Sequence, residues 1–429
     1  MRIDGAASLK GRRCLVACCG SIAAVKTPLL VSALVKAGAD VRCVVTPSAS
    51  RLVSPVALAS LSRHRCYQDG DEWSASCPRP LHIELAEWAE LVIVAPLSAT
   101  SLGRWCAGLA DGLLASLLLA TEAPVLAAAA MNTGMWSHPA VRQNWATLQS
   151  WPRVLPLAPG EGLLACDRIG PGRMAEPERI LLAAASLFCR GESPVPLRRD
   201  WSGRRLLVSA GPTLEQLDEA RLITNRSSGV MGVLLAQAAA LRGAEVALVH
   251  GPLRCPEPWL EGLRCHAVTS AGEMERVLQA HQADAAAVAM VAAVADLRRL
   301  DGGGQGKQPK QQLIDSMGSG WTLVPDLLKG LARRRPPGQV LLGFAALAGE
   351  EEQMRRLGEQ KRVAKGCDLL MVNPIDRPDQ GFESPNNGGW LLDAHGCTVI
   401  EPSPKLAVAQ RLLDHLLDAV LKAQDSTSC

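Results

Sequence analysis

Aromatic residues are scarce in this chain, with one Tyr and three Phe beside ten Trp, 3% in all. Charge of either sign is nearly cancelled: Lys plus Arg number 45 against 42 Asp plus Glu, a net +3. With no basic tract and no interleaving of aromatic and basic side chains, a nucleic-acid surface is excluded. No apolar run is long enough to span a membrane, because the longest, Leu113 to Met131, is broken by Glu122 and Pro124, and a span needs about 20 apolar residues. That run reads as a buried helix followed by a strand. The opening MRIDGAASLKGRR lacks the apolar stretch of a signal peptide. Fourteen Cys are present, yet no CxxC pair and no Cys/His cluster at ligand spacing, which argues against zinc and iron–sulfur sites. Scattered thiols point to a reducing, cytoplasmic setting. The dinucleotide fingerprint GxGxxG is missing as well.

What is present is a long globular chain: 429 residues, 48% hydrophobic, 38 Gly. That is too much for one core and allows two or three domains. The expected class is α/β, two Rossmann-like three-layer domains in series with mostly parallel sheets. Residues 1–189 form the first domain, 190–202 (ending GESPVPLRRDWS) the linker, and 203–429 the second. Gly203-Arg-Arg-Leu-Leu-Val208 echoes Gly11-Arg-Arg-Cys-Leu-Val16, so both halves open alike.

In the first half, Cys14–Cys18 is a strand and Cys19-Gly-Ser-Ile turns from it toward a helix ending near Gly38, an arrangement that offers free N–H groups to a mononucleotide phosphate. A second strand, Asp40–Val45, delivers Thr46. The buried strand Leu91–Ala95, ended by Pro96, aims its C-terminal end at Ser98 and Thr100, the edge where ligands sit in open α/β sheets. His82 lies upstream of it, after a loop over Tyr67–Pro80. A helix from Ser101 to Leu119 leads to a strand at Pro124–Ala130, which brings Asn132 to the same edge. Residues 160–174, glycine-rich and carrying Cys166, read as a long active-site lid. Alone, His82 and Asn132 would pass for capping residues and Cys166 for a small buried hydrophobe.

In the second half, Ser209-Ala-Gly-Pro-Thr213 is a nucleotide-facing turn, and Ile223-Thr-Asn-Arg-Ser-Ser-Gly-Val-Met-Gly232 is a second glycine-serine loop, entering a helix that ends near Gly243. The apolar strand Ala285–Ala295 ends on Asp296, an acid placed for Mg²⁺ or a ribose hydroxyl. Residues 301–312 are glycine- and lysine-rich, a solvated loop or a flap over polyphosphate. Lys361 and Lys365 stand one helical turn apart.

Together HIELAEWAELVIVAPLSA, AAMN, ACDRIGPGRM, AGPT, TNRSSGVMG, AAVAD, GFAA and KRVAK, in this order, resemble the bifunctional phosphopantothenoylcysteine decarboxylase/phosphopantothenate–cysteine ligases of coenzyme A biosynthesis. The likeness runs from Gly11 to the helix at Leu406–Leu421. It implies a first domain of the homo-oligomeric flavin-containing cysteine decarboxylase type, in which Gly20, Ser21, Ile22, Thr46, Ser98, Ala99 and Thr100 hold FMN. By the same likeness His82 is the base, Asn132 binds the substrate carboxylate and Cys166 is the proton donor. The residue types suit the chemistry. Flavin oxidation of the CH₂–SH group to a thioaldehyde lets CO₂ leave, with His82 removing a proton and Cys166 returning one. For the second domain the likeness implies a CTP-dependent ligase acting on 4′-phosphopantothenate and cysteine through an acyl-cytidylate. Asn225 handles the acyl intermediate, and Lys307 or Lys310 is the flap lysine. Met290, Val291, Ala292, Asp296, the Val324-Pro325-Asp326-Leu327 element, Phe344, Lys361 and Lys365 contact CTP, with Asp296 also on Mg²⁺. Trimers of the flavin domain and dimers of the ligase domain are implied too.

The sequence departs from the family pattern at Leu81, Ala129 and Asp167 in the first half. In the second, Leu214, Val230, Val324 and Leu347 stand where Arg, Lys, Asn and Glu are usual. The reading is thus an enzyme making 4′-phosphopantetheine. Its rivals are an FMN decarboxylase with a degenerate ligase half and a non-catalytic flavin-binding scaffold.

Overall fold

The computed structural model describes residues 6–74, 78–189, 197, 199–303, 306–309, 311, 314–315 and 319–427. The chain divides into two compact units, Met1–Arg198 and Arg199–Cys429. In the first, strands β1 (Arg13–Cys18), β2 (Asp40–Val45), β3 (Cys66–Gln68), β4 (Leu91–Leu97), β5 (Val125–Ala129) and β6 (Val154–Leu157) form a sheet in the order 3-2-1-4-5-6. Every neighbouring pair is parallel. Continuous apolar runs suit such strands because helices cover both faces. On one face Leu15, Ala17, Val92, Val94, Val125 and Ala127 meet Leu85, Trp105, Leu117 and Leu148 from the helices. Each aliphatic side chain so buried contributes about 1.5–3 kcal/mol. Cys14, Cys18 and Cys43 belong to this interior, and burial pushes their thiols up to about 12, so they are inert apolar filler.

Three local expectations change. β4 continues through Pro96 to Leu97; the proline, which cannot donate, sits where the register with β5 shifts between Val94 and Leu97. The helix expected over 101–119 is two, Ala99–Cys106 and Leu113–Ala120, separated by a turn in which Gly108 takes φ +68°, a conformation that ends helices. The lid is not a loop but an antiparallel hairpin, β7 (Gly160–Leu163) and β8 (Ile169–Arg173). Asp167 in its turn adopts φ +59°, which an Asp tolerates where the family pattern has Gly.

The second unit holds strands β9 (Arg205–Ala210), β10 (Leu214–Asp218), β11 (Arg221–Thr224), β12 (Glu245–His250), β13 (Arg264–Ala267), β14 (Ala287–Met290), β15 (Leu297–Arg299), β16 (Trp321–Leu323), β17 (Val340–Leu347), β18 (Leu369–Pro374), β19 (Asn386–Leu392) and β20 (Cys397–Pro404). Its main sheet runs 13-12-9-14-17-18-19-20, parallel up to β18, with β19 and β20 added antiparallel. The first six strands thus repeat the order of the first unit, as the shared Gly-Arg-Arg openings foreshadow. The linker expected over 190–202 is too long at its end. Trp201 is fully buried and Asp200 pairs with Arg242 at 2.6 Å, so 199–202 belong to the second unit's packing. Residues 190–196 and 198 lie outside the described residues.

Helix Val230–Leu241 crosses β9 closely at Gly232, where a Cβ would stand 2.7 Å from the Ala210 Cβ and 2.8 Å from the Ser209 carbonyl oxygen. The β10–β11 hairpin is pinned by Asp218, whose carboxylate faces the Arg221 guanidinium at 2.5 Å and accepts from the Gln308 amide at 3.1 Å. The Arg221 bond, with the backbone donors, lowers its pKa to about 2. A depressed carboxylate stabilises the fold fully above its unfolded value, about 4, and that share is lost as pH falls through about 2. Melts of the parent and Asp218→Asn should therefore differ most above about pH 4 and converge toward about pH 2; a constant margin would disprove this linkage.

Candidate functional site

In the first unit the chain runs outward through β2 and β3, then returns to β4 on the other side of β1. The crevice beyond the C-terminal ends of β1 and β4 is the topological switch point, where open α/β sheets bind ligands. Two turns meet there. Cys18 leads into Gly20 and Ser21, held close to β4 by the Cys19 N–H to Pro96 carbonyl bond of 3.2 Å. Ser21 precedes the short helix Ile22–Lys26 and its hydroxyl makes no bond to that helix. Beside it Ser98, nearly buried, caps helix Ala99–Cys106 by accepting the Ser101 N–H at 3.3 Å. Thr46 extends from β2 on the other flank, its Oγ1 accepting from the Ala49 N–H at 3.3 Å. A Cβ at Gly20 would strike the Ser48 side chain, so only glycine lets the β1 and β2 turns approach this closely.

Asn132 and Cys166 come together although 34 residues separate them: the amide Nδ2 donates to the Cys166 Sγ at 2.9 Å. The other end of the amide accepts the Gly134 N–H at 2.8 Å, capping the helix Thr133–Ser137. One end of the Asn132 amide thus serves as a helix cap while the other faces the thiol, so capping does not occupy the whole side chain. The hairpin that carries Cys166 is laid on the end of β5 by the Met131 N–H to Gly172 carbonyl bond of 3.1 Å. Cys166 is exposed, unlike the thiols of the sheet.

His82 opens helix Leu81–Trp88, and the Glu72 carboxylate grips it twice, at Nδ1 (2.5 Å) and at its backbone N–H (3.2 Å). Glu72 is nearly buried, and nothing in the sequence marks this partner inside a polar loop. His82 is a quarter exposed and, among the described residues, is not hydrogen-bonded to Asn132 or Cys166. Leu81, where the family pattern has Gly, is a core residue packed with Leu85.

The second unit contains a cavity of about 670 Å³ at the C-terminal edge of its sheet. Asn225, Met290, Val291, Ala292, Asp296, Val324, Pro325, Asp326, Leu327, Phe344, Lys361 and Lys365 all line it. Lys307 does not: it is exposed and outside the lining, while Lys310 lies outside the described residues. The strand expected over 285–295 stops at Met290 because two hydroxyls draw the following backbone out of the ladder. Ser209 Oγ accepts from the amides of Val291 and Ala292, 3.1 Å each, and Thr213 Oγ1 accepts from Ala295 at 3.0 Å. Asn225 closes the far side of this loop, donating to the carbonyls of Ala293 (3.1 Å) and Val294 (3.0 Å). With both N–H groups used, its carbonyl oxygen is the atom left for a ligand. Asp326 caps helix Leu327–Arg334 and meets the Lys365 ammonium at 3.0 Å. Burial opposes its charge, but the Lys329 amide and Lys365 outweigh that and hold its carboxyl below the usual range. Among the described residues no group of three or more His, Cys, Asp or Glu could hold a metal ion, and no helix is long and apolar enough to cross a membrane.

Residues 5–188 match the Flavoprotein family, and residues 201–420 match the DNA/pantothenate metabolism flavoprotein C-terminal domain. The coenzyme A biosynthesis bifunctional protein CoaBC of Bacillus subtilis is 38% identical over 386 residues, covering 88% of this chain and 90% of the relative. The chain belongs to the CoaBC family. The Mycolicibacterium smegmatis member is 37% identical over 424 residues, 96% of this chain and 99% of its own, and the Escherichia coli member 36% over 410 residues, with 96% and 98% covered. Among solved structures, the C-terminal domain of a CoaBC protein is 27% identical, covering 52% of this chain and 99% of that one with a TM-score of 0.41. The FMN binding protein AtHal3 is 34% identical, covering 43% and 99%, with a TM-score of 0.39. As a CoaBC member the chain is an enzyme of coenzyme A biosynthesis that joins ligation to decarboxylation, with a flavoprotein first half.

This CoaBC chain absorbs its departures from the family pattern by packing. Val230 is buried in the first turn of its helix, and Val324 and Leu347 lie against the core formed by Leu328, Leu341 and Val372. The residues that reading the sequence missed are Glu72, whose partner is fixed only by tertiary contact, and the buried Lys405 on the cavity wall, while Ser209 and Thr213, read as the ends of a nucleotide-facing turn, hold the backbone of residues 291–295 instead.

Proposed function

We propose that the second unit joins 4′-phosphopantothenate to cysteine with CTP, and that the first then decarboxylates phosphopantothenoylcysteine to 4′-phosphopantetheine. The observation that best supports this is the bond from Asn132 to Cys166, an amide and an exposed thiol facing each other at a sheet edge that also carries the Gly20–Ile22 and Ser98–Thr100 turns. The residues present fit FMN: a glycine turn without room for a side chain, the Ser21 hydroxyl that its own helix leaves unused, Thr46, and the backbone at Ala99 and Thr100 suit a phosphate and a polar ring. When bound, the flavin supplies the oxidation that makes CO₂ loss possible. His82, held by Glu72 at one ring nitrogen, uses the other to take the thiol-side proton. Asn132 moves its donor from the thiol to the substrate carboxylate, an uncharged contact that does not overstabilise the ground state. Cys166, released from that bond, returns a proton after CO₂ departs.

In the ligation, the phosphopantothenate carboxylate attacks the α-phosphorus of CTP and pyrophosphate leaves; the cysteine amine then attacks the acyl carbon and expels CMP. Cationic side chains on the cavity wall stabilise the departing charge, and the Asn225 carbonyl oxygen meets the acyl group. Asp296 at the exposed rim suits Mg²⁺ shared with nucleotide phosphates, since that ion binds through one or two carboxylates plus phosphate oxygens. Lys307 would contribute from the flap, from outside the cavity wall. Homo-oligomers, with trimers of the flavin unit and dimers of the ligase unit, and a cytoplasmic location complete the reading. Exposed Ile22, Val25, Leu29 and Val56 on the first unit support self-association.

The test is one assay on the full chain with phosphopantothenate, cysteine and CTP, following pyrophosphate and CO₂ together. Release of both is expected. The apolar Val230, Val324 and Leu347 favour the rival of a degenerate ligase half, which would give CO₂ from supplied phosphopantothenoylcysteine but no pyrophosphate.

A further inference from the structure

Lys405 is 4% exposed and lies on the wall of the 670 Å³ cavity, at the first residue of helix Lys405–Thr427. That helix packs against helix Val230–Leu241. Arg242, at the end of the latter, pairs with Asp414 midway along the former at 2.9 Å, and both first turns line the same cavity, so the two helices run the same way. Strand directions agree, for both helices leave the C-terminal edge of the sheet, one after β9 and the other after β20. Val230, Met231 and Gly232 of the first helix line the same cavity as Lys405. Two positive helix ends therefore open on one space beside a buried ammonium. The rest of the wall adds to this: Arg226 and Lys361 are cationic, Lys365 and Asp326 offset each other as an ion pair at 3.0 Å, and Asp296 is the remaining acid among the wall residues. An electropositive pocket of this kind suits a phosphorylated ligand.

We propose that Lys405 is a phosphate anchor of the ligase reaction, holding an oxygen of the nucleotide polyphosphate or of the phosphate on phosphopantothenate. This rests on the ligase reading of the second unit. Asn373 and Asn387 stand beside it on the wall, bonded to each other at 2.7 Å, and give that end of the cavity a fixed polar floor.

The experiment uses the full chain carrying Lys405→Met, which keeps the aliphatic stem and removes the charge, or Lys405→Arg, which keeps the charge. A charge-assisted hydrogen bond lost from the bound state is read as a rise of about tenfold or more in one Michaelis constant. If the nucleotide supplies the phosphate, KM for CTP rises and affinity for inorganic tripolyphosphate falls, with kcat little changed. If phosphopantothenate supplies it, only KM for that substrate rises and tripolyphosphate binding stays. Either result supports the anchor, provided Lys405→Arg restores most of the loss and decarboxylation of supplied phosphopantothenoylcysteine is unchanged. Both constants and tripolyphosphate affinity within about twofold of the parent, in a Lys405→Met protein that melts like the parent, would overturn it. Should that variant not fold, Lys405→Gln against Lys405→Arg decides, equal constants refuting the proposal. A parent that releases no pyrophosphate refutes the ligase reading instead, and tripolyphosphate titration of parent and variant then judges Lys405 alone.

Discussion

His82→Asn is expected to lower CO₂ release by about 10²- to 10⁴-fold, the range that a positioned acid or base supplies, while flavin remains bound. The geometry says which nitrogen matters. Glu72 Oε1 stands 2.5 Å from Nδ1, and a carboxylate can only accept, so Nδ1 carries a proton and Nε2 is the nitrogen left for the proposed role of base. Glu72 also fixes the backbone at His82 through the 3.2 Å bond to its N–H, so ring and main chain are set by one nearly buried acid. Glu72→Gln should therefore reduce turnover by less than His82→Asn, because an amide oxygen can still accept from Nδ1 and keep the ring in place. CO₂ release from phosphopantothenoylcysteine by purified protein, with flavin absorbance as the control, checks both. Near-parental turnover in His82→Asn removes the imidazole from the chemistry.

Asn225→Asp should cut pyrophosphate release by about 10²-fold, the cost of misplacing a reacting group by about an ångström. The amide now bridges the carbonyls of Ala293 and Val294 at 3.1 and 3.0 Å. A carboxylate there would set negative charge against two carbonyl oxygens with no donor between them, and an unsatisfied polar group in such a place is strongly unfavourable. The loop after β14 would retreat, carrying the backbone of Val291 and Ala292 away from the cavity. Decarboxylation of supplied phosphopantothenoylcysteine should be unchanged, and thermal melting should separate a local shift from unfolding. A parallel fall in both activities would end the assignment of Asn225 to the ligase alone.

Much of the site lay in view because its residues sit where parallel strands end, and such strands announce themselves. Leu91–Val94 and Ala287–Met290 are short apolar runs bounded by turn residues, and the chain just beyond each run faces the ligand edge. Boundaries were less legible where side chains intervene. β14 was expected to reach Ala295, but the hydroxyls of Ser209 and Thr213, some eighty residues earlier, take the amides that would have continued the ladder. The 160–174 lid was expected as a loop, and its glycines hid a hairpin whose pairing depends on register rather than on β-branched residues. Lys307, carried over with the flap, stands outside the cavity wall, while Lys405, unremarkable at the start of an amphipathic helix, stands on it.

By itself the amino-acid sequence determined the two α/β units, their like beginnings and the family to which they belong, because local periodicity and glycine turns suffice for those. Tertiary structure alone decided that Glu72 grips His82, that Asn132 touches Cys166, and that the first turns of two helices far apart in the chain flank one cationic cavity. Those meetings depend on strand order and on which helix faces pack, and neither is written in any single stretch of chain.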